Sequence, residues 1–112
     1  MNPSDIAYEM ERVLKDLDGL VTEMRDAGQD LAESERAYKV SFARARLTAR
    51  ASGNFKTVDA VNDHATVECA DLLFSYTLAQ STMQTIREAL RAAESRLDAL
   101  RSMSASVRGA GG

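Results

Sequence analysis

The sequence predicts an all-α fold: a long antiparallel helical hairpin of the coiled-coil kind that oligomerises into a helical bundle. Three observations predict it. Apolar residues recur at heptad spacing through two long segments, a single Gly-Asn pair interrupts the pattern between them, and the charge changes sign in blocks that become complementary when the chain folds back on itself.

The first helix is expected over about residues 4–51. Met10, Leu17, Met24, Leu31, Tyr38 and Ala45 form one row, and Ile6, Val13, Leu20 and Ala27 the complementary one. Asn2 or Ser4 can cap its start, Pro3 is tolerated in a first turn, and Asp5 and Glu9 suit the positive end of the helix dipole. Gly19 and Gly28 weaken it by about 1 kcal/mol each relative to Ala. Ser34 and Ser41 replace hydrophobes in the second row, so a bend or a shift of the seam is expected there.

The turn is placed at 52–56. Gly53 suits the left-handed position after a helix, and Thr57 suits the cap of the next one, with Asp59 in its first turn. The second helix is expected over about 57–103. Cys69, Tyr76, Met83, Leu90 and Leu97 form one row, and Ala65, Leu72, Ala79, Ile86, Ala93 and Leu100 the other. The Ser, Ala and Gly of residues 104–112 are expected to form a flexible tail, which leaves one domain over residues 1–108.

If residue i faces residue 110 minus i, each row of one helix meets the complementary row of the other. Tyr38 then faces Leu72, Met24 faces Ile86 and Leu17 faces Ala93. Net charge runs −7 over residues 1–35, +6 over 36–58, −4 over 59–86 and +2 over 87–112, so opposite signs also come together. Arg44 with Glu68, and Glu9 or Asp16 with Arg96, flank the seam. Such exposed pairs contribute about 0–1 kcal/mol each, so apolar burial supplies the stability and charge selects the register.

Two helices cover only one face of each other. Leu14, Val21 and Phe42 form a further stripe on the first helix, and Leu73, Phe74 and Leu78 lie outside the rows of the second. These six residues are the expected oligomer interface, and a homo-oligomer is the expected state.

The basic block of residues 36–58 contains Arg36, Lys39, Arg44, Arg46, Arg50 and Lys56 and no carboxylate. Arg36 and Lys39 can reach Glu33 and Glu35 within their own helix, whereas Arg46 and Arg50 have no acid three or four residues away. The block reads either as a solvated face or as a phosphate-binding surface. In the second case Arg46, Arg50 and Lys56 are the contacts, with Phe55 as an exposed ring for a base to stack on.

Little else suggests chemistry. His64 is the only histidine and has no thiolate one turn away, and Cys69 sits on a seam row where a small hydrophobe belongs. The carboxylates lie off the seam, and no nucleotide-binding, nucleophile-elbow, zinc-protease or calcium-loop motif occurs. No catalytic residue, metal or cofactor is expected. The lone cysteine favours a reducing cytoplasm, the N-terminus lacks the basic and apolar regions of a signal peptide, and the uncharged run Leu72 to Ile86 falls short of the roughly 18 residues of a membrane span.

The stretch AYKVSFARARLTARASGNFKTVDAVNDHATVECADLLFSYTLAQ, followed by IREALRAAESRLDALRSMSASVR, resembles small helical proteins of tailed phages and prophages of Gram-positive bacteria. Those proteins share a Tyr, an Ala/Arg-rich helix, a Gly-containing turn and a helix ending in Leu-Arg-Ser, and the resemblance covers roughly residues 37–108. It implies an accessory protein of phage DNA recombination or replication in the host cytoplasm and carries over no catalytic residue; together with the basic block, the expectation is a non-enzymatic adaptor that binds protein and, where the block contacts phosphate, single-stranded DNA. The alternative is a structural or inhibitory module acting on a host factor. In length and hairpin form the chain also resembles secreted helical-hairpin proteins with a Trp-x-Gly turn and a Tyr-x-x-x-Asp/Glu signal, but it has no Trp, and Tyr8 and Tyr76 are followed by Arg12 and Gln80 at the signal position.

Overall fold

A computed structural model describes residues 1–111. The described chain is an all-α antiparallel hairpin without strands, made of α1 (Pro3–Ser52), α2 (Val58–Glu68) and α3 (Ala70–Gly111). It divides into two compact units. The terminal unit combines Met1–Asp26 with Gln84–Gly112, and the turn unit is Ala27–Met83.

In the terminal unit α1 starts with a reciprocal cap. The Asp5 amide donates to Asn2 Oδ1 at 2.9 Å, and the Asn2 amide donates to Asp5 Oδ2 at 3.4 Å, which satisfies donors that the first turn leaves free. Val13, Leu97 and Leu100 form a buried cluster with Met10, Leu17 and Ala93 packed against it. These are the partners that the 110-minus-i register expects. Ile6 is buried as well, and Ser104 and Val107 are half-buried on the continuation of the α3 rows. The expected end of helix near 103 is therefore corrected: α3 runs on to Gly111, because the seam gives residues 104 and 107 something to pack against. Gly112 lies outside the described residues.

In the turn unit Gly53 takes φ 71°, the left-handed value that glycine tolerates best. Ser52 Oγ donates to the Ala49 carbonyl at 2.7 Å and accepts from the Asn54 amide at 3.2 Å. Thr57 caps α2, its Oγ1 accepting from the Ala60 amide at 3.0 Å.

Two features of this unit depart from regular heptads. The buried residues Val61, Ala65 and Cys69 are spaced by four, and spacing of three resumes only at Leu72. Adjusting to that change, the backbone leaves helical geometry at Cys69 (φ −103°, ψ 14°), so the single helix expected over 57–103 is two helices. On α1 the seam shifts where Ser34 and Ser41 interrupt the second row. Ala49 is buried and Phe42 half-buried, one position beyond that row, while Ser34 Oγ donates to the Asp30 carbonyl of its own helix at 2.7 Å. Rotation of the seam brings Arg46 partly inward and carries Arg44 outward. The expected Arg44–Glu68 pair is accordingly not formed. Tyr38 stacks on Tyr76 with ring centroids 5.9 Å apart, one turn beyond the Leu72 expected opposite it.

Candidate interaction surface

The terminal unit has a polar link between its helices. Glu9 accepts from Arg96 Nη2 at 2.7 Å and from Arg12 Nη1 at 3.4 Å, and its side chain is only 17% exposed. The hydrogen bond from Arg96, aided by the charges of Arg12 and Arg96, outweighs partial desolvation and holds the Glu9 carboxyl below its ordinary pKa. Leu14 and Val21 stand exposed on α1, as their stripe position expects.

The turn unit holds the remaining predicted residues, and their surroundings differ. Arg46 is half-buried, with its guanidinium 5.9 Å from the centroid of the Phe42 ring and its Nε shielded without a partner. The basic block reads from sequence as a solvated or phosphate-binding face, and the shifted seam explains why Arg46 is half-buried instead. Phe42 is covered on one side by Arg46 and lies 5.7 Å from Tyr38, so it belongs to an aromatic cluster rather than to a free stripe. Phe55 was expected as an exposed ring, but it is half-buried with its centroid 4.6 Å from that of His64. The turn folds it back onto α2. Arg50 and Lys56 are exposed, and neither enters an ion pair among the described residues. Lys39 donates to Glu35 at 2.6 Å, which raises its pKa and satisfies it locally.

Leu73 is half-buried, whereas Phe74 and Leu78 are exposed at 69% and 56%. Three further exposed residues, Val40, Leu47 and Val67, were not picked out from the sequence. The signal was present: all three fall on outer heptad positions, where a solvated hairpin carries polar residues. Val40 lines a surface groove with Glu33, Arg36, Ala37, Ser41 and Arg44.

Among the described residues no three His, Cys, Asp or Glu side chains are grouped to hold a metal ion, and Cys69 is a buried free thiol. No described helix is long and apolar enough to cross a membrane. No family model, no curated protein and no solved structure matches the chain. The surface itself therefore has to carry any functional reading. What it offers is a set of apolar outer rows flanked by unpaired charge, an arrangement suited to holding another helix.

Proposed function

We propose that the chain is a non-enzymatic interaction module, an adaptor that binds protein along the outer faces of its hairpin and associates with itself. One observation carries this reading: the turn unit exposes Val40, Leu47, Val67, Phe74 and Leu78, while Ala27, Ala49, Ala65 and Cys69 are among the residues that close its seam. Large apolar side chains aligned on an outer helix face mark contact surfaces. The accessory role in phage DNA recombination or replication, which the sequence resemblance implies, belongs to this proposal as its biological setting. So does the alternative of a structural or inhibitory module on a host factor, since both act through protein binding. The test is capture of proteins from a host extract by the immobilised chain and by a Phe74→Asp variant, with circular dichroism to confirm equal helix content. Partners retained by the wild type and lost by the variant support the reading. Identical sets from both remove it.

A second reading, contact with single-stranded nucleic acid, is favoured by the exposed and unpaired Arg50 and Lys56 beside the turn. Electrophoretic mobility of oligonucleotides across a salt series tests it. Phosphate contacts predict binding that weakens steeply with salt and is lost in Arg50→Glu/Lys56→Glu. Absence of binding at low salt would eliminate this reading.

A further inference from the structure

The turn unit carries two outer stripes of opposite charge. On α1 the stripe comprises Arg36, Val40, Arg44 and Leu47; on α2 and α3 it comprises Asp63, Val67, Asp71 and Phe74, with Leu78 one turn further. All of these residues are exposed, and none of the charged ones enters an ion pair among the described residues. Each stripe points away from the seam that joins the helices, so the two lie on opposite edges of the unit.

We propose that these edges bind each other between copies, the α1 stripe of one chain docking on the α2–α3 stripe of the next, in a head-to-tail contact. This inference rests on the reading of the chain as an interaction module and names a second copy as the partner. Three features support it. The burial pattern is inverted: of the residues buried in this unit three are alanines, whereas Leu47, Val67 and Phe74 are more than 60% exposed. The charges select the pairing, since α1 against α1 sets arginines on arginines, α2–α3 against its own copy sets Asp63 and Asp71 together, and only the mixed contact joins opposite signs. The spacings agree as well. A constant offset of 27 residues, with the two stripes running parallel, places Arg36 opposite Asp63, Val40 opposite Val67, Arg44 opposite Asp71 and Leu47 opposite Phe74.

A contact between two different edges does not use itself up in a pair. Each added copy presents a fresh edge, and parallel docking of stripes that run antiparallel within one chain inverts successive copies, so assembly continues as an open array. An interface that repeated one edge on both sides would stop at a dimer.

The test uses light scattering on the full chain over a concentration series, with two variants. Val40→Asp/Leu47→Asp spoils only the α1 edge, and Val67→Ser/Phe74→Ser only the other, and the two spoiled edges carry no new opposite charges that could pair in a mixture. The expected result is a wild-type mass that rises past the dimer with concentration, a monomer for each variant alone, and a dimer of 1:1 composition when the variants are mixed. The substituted positions are exposed, and circular dichroism checks that helix content is unchanged. If either variant loses helix, the single changes Leu47→Asp and Phe74→Ser replace the pairs and give the same three-part readout.

A wild type that stays monomeric overturns the inference, as does a variant that dimerises alone or a mixture that does not assemble. The broader reading fails separately. A monomeric wild type whose captured partner is lost on Phe74→Asp keeps protein binding along the outer faces and rejects self-association, and with it the head-to-tail contact.

Discussion

Gly19→Ala tests whether α1 is one continuous helix through the terminal unit. Gly19 lies in the helix interior, beside a shallow groove lined by Lys15, Asp16, Leu20, Glu23, Ala89 and Ala93, and a methyl group added there meets nothing within 4 Å. Because the methyl touches no other side chain, the change acts on backbone freedom alone. Replacing glycine by alanine at such a site is worth about 1 kcal/mol, part of it from restricting the unfolded chain. For a domain of about 100 residues, 1 kcal/mol raises the melting temperature by about 4–8 °C. Gly28→Ala gives a smaller gain, because its new Cβ would stand 3.3 Å from Met83 Cε and the methionine end must shift by a few tenths of an ångström. Gly53→Ala has the opposite sign: φ 71° costs an L-residue about 1–2 kcal/mol. The assay is urea and thermal unfolding followed by far-ultraviolet circular dichroism for the three variants beside the wild type. A neutral or destabilising Gly19→Ala would mean that α1 is interrupted there and would refute the reasoning.

Leu97→Ala removes a member of the buried cluster with Val13 and Leu100 and is expected to cost about 2–5 kcal/mol, read as a lower urea midpoint with helix retained below it. Thr57→Ala removes the hydrogen bond to the Ala60 amide and is expected to cost about 0.5–2 kcal/mol, whereas Thr57→Ser keeps most of the cap; equal loss in both would argue against capping. The Glu9 carboxyl is held below its ordinary pKa, so the stability it contributes is present above the unfolded carboxyl range and is lost as pH falls through the folded value. Arg96→Gln should therefore lower the urea midpoint at neutral pH, with the difference from wild type shrinking in acid. A difference that grew as pH fell would contradict the sign of that shift.

The heptad rows made the two long helical segments, the reversal at Gly53 and the Thr57 cap legible in the sequence, because each depends on local chemistry that a few residues express. The tail was not. Serine and alanine at 104–106 have weak individual preferences, and their helix depends on Ser104 and Val107 continuing a seam that ends elsewhere in the chain. The break at Cys69 was visible only as a change of spacing from three to four around Ala65, which a strict sevenfold reading passes over. Side chains near the turn were the least legible. Whether Phe55 faces water or His64 depends on how the loop closes, and whether Arg46 faces outward depends on a seam rotation of one helical position. Neither leaves a mark in residue spacing.

The sign blocks read from the sequence do different work in the two units. In the terminal unit an acid of α1 meets a base of α3, and Glu9 with Arg96 is the ion pair between helices that the register expects. In the turn unit no such pair joins the helices among the described residues, although the blocks there carry more charge of unlike sign. Exposed pairs contribute little to folding in either case, so their absence leaves the seam intact while the charges remain on the surface. Salt at a few tenths molar shortens the screening length to several ångströms and acts on such charges before it acts on buried apolar contacts. The fold and the surface chemistry of the turn unit are thus separable by ionic strength: helix content follows the seam, and whatever docks on the charged edges follows the salt.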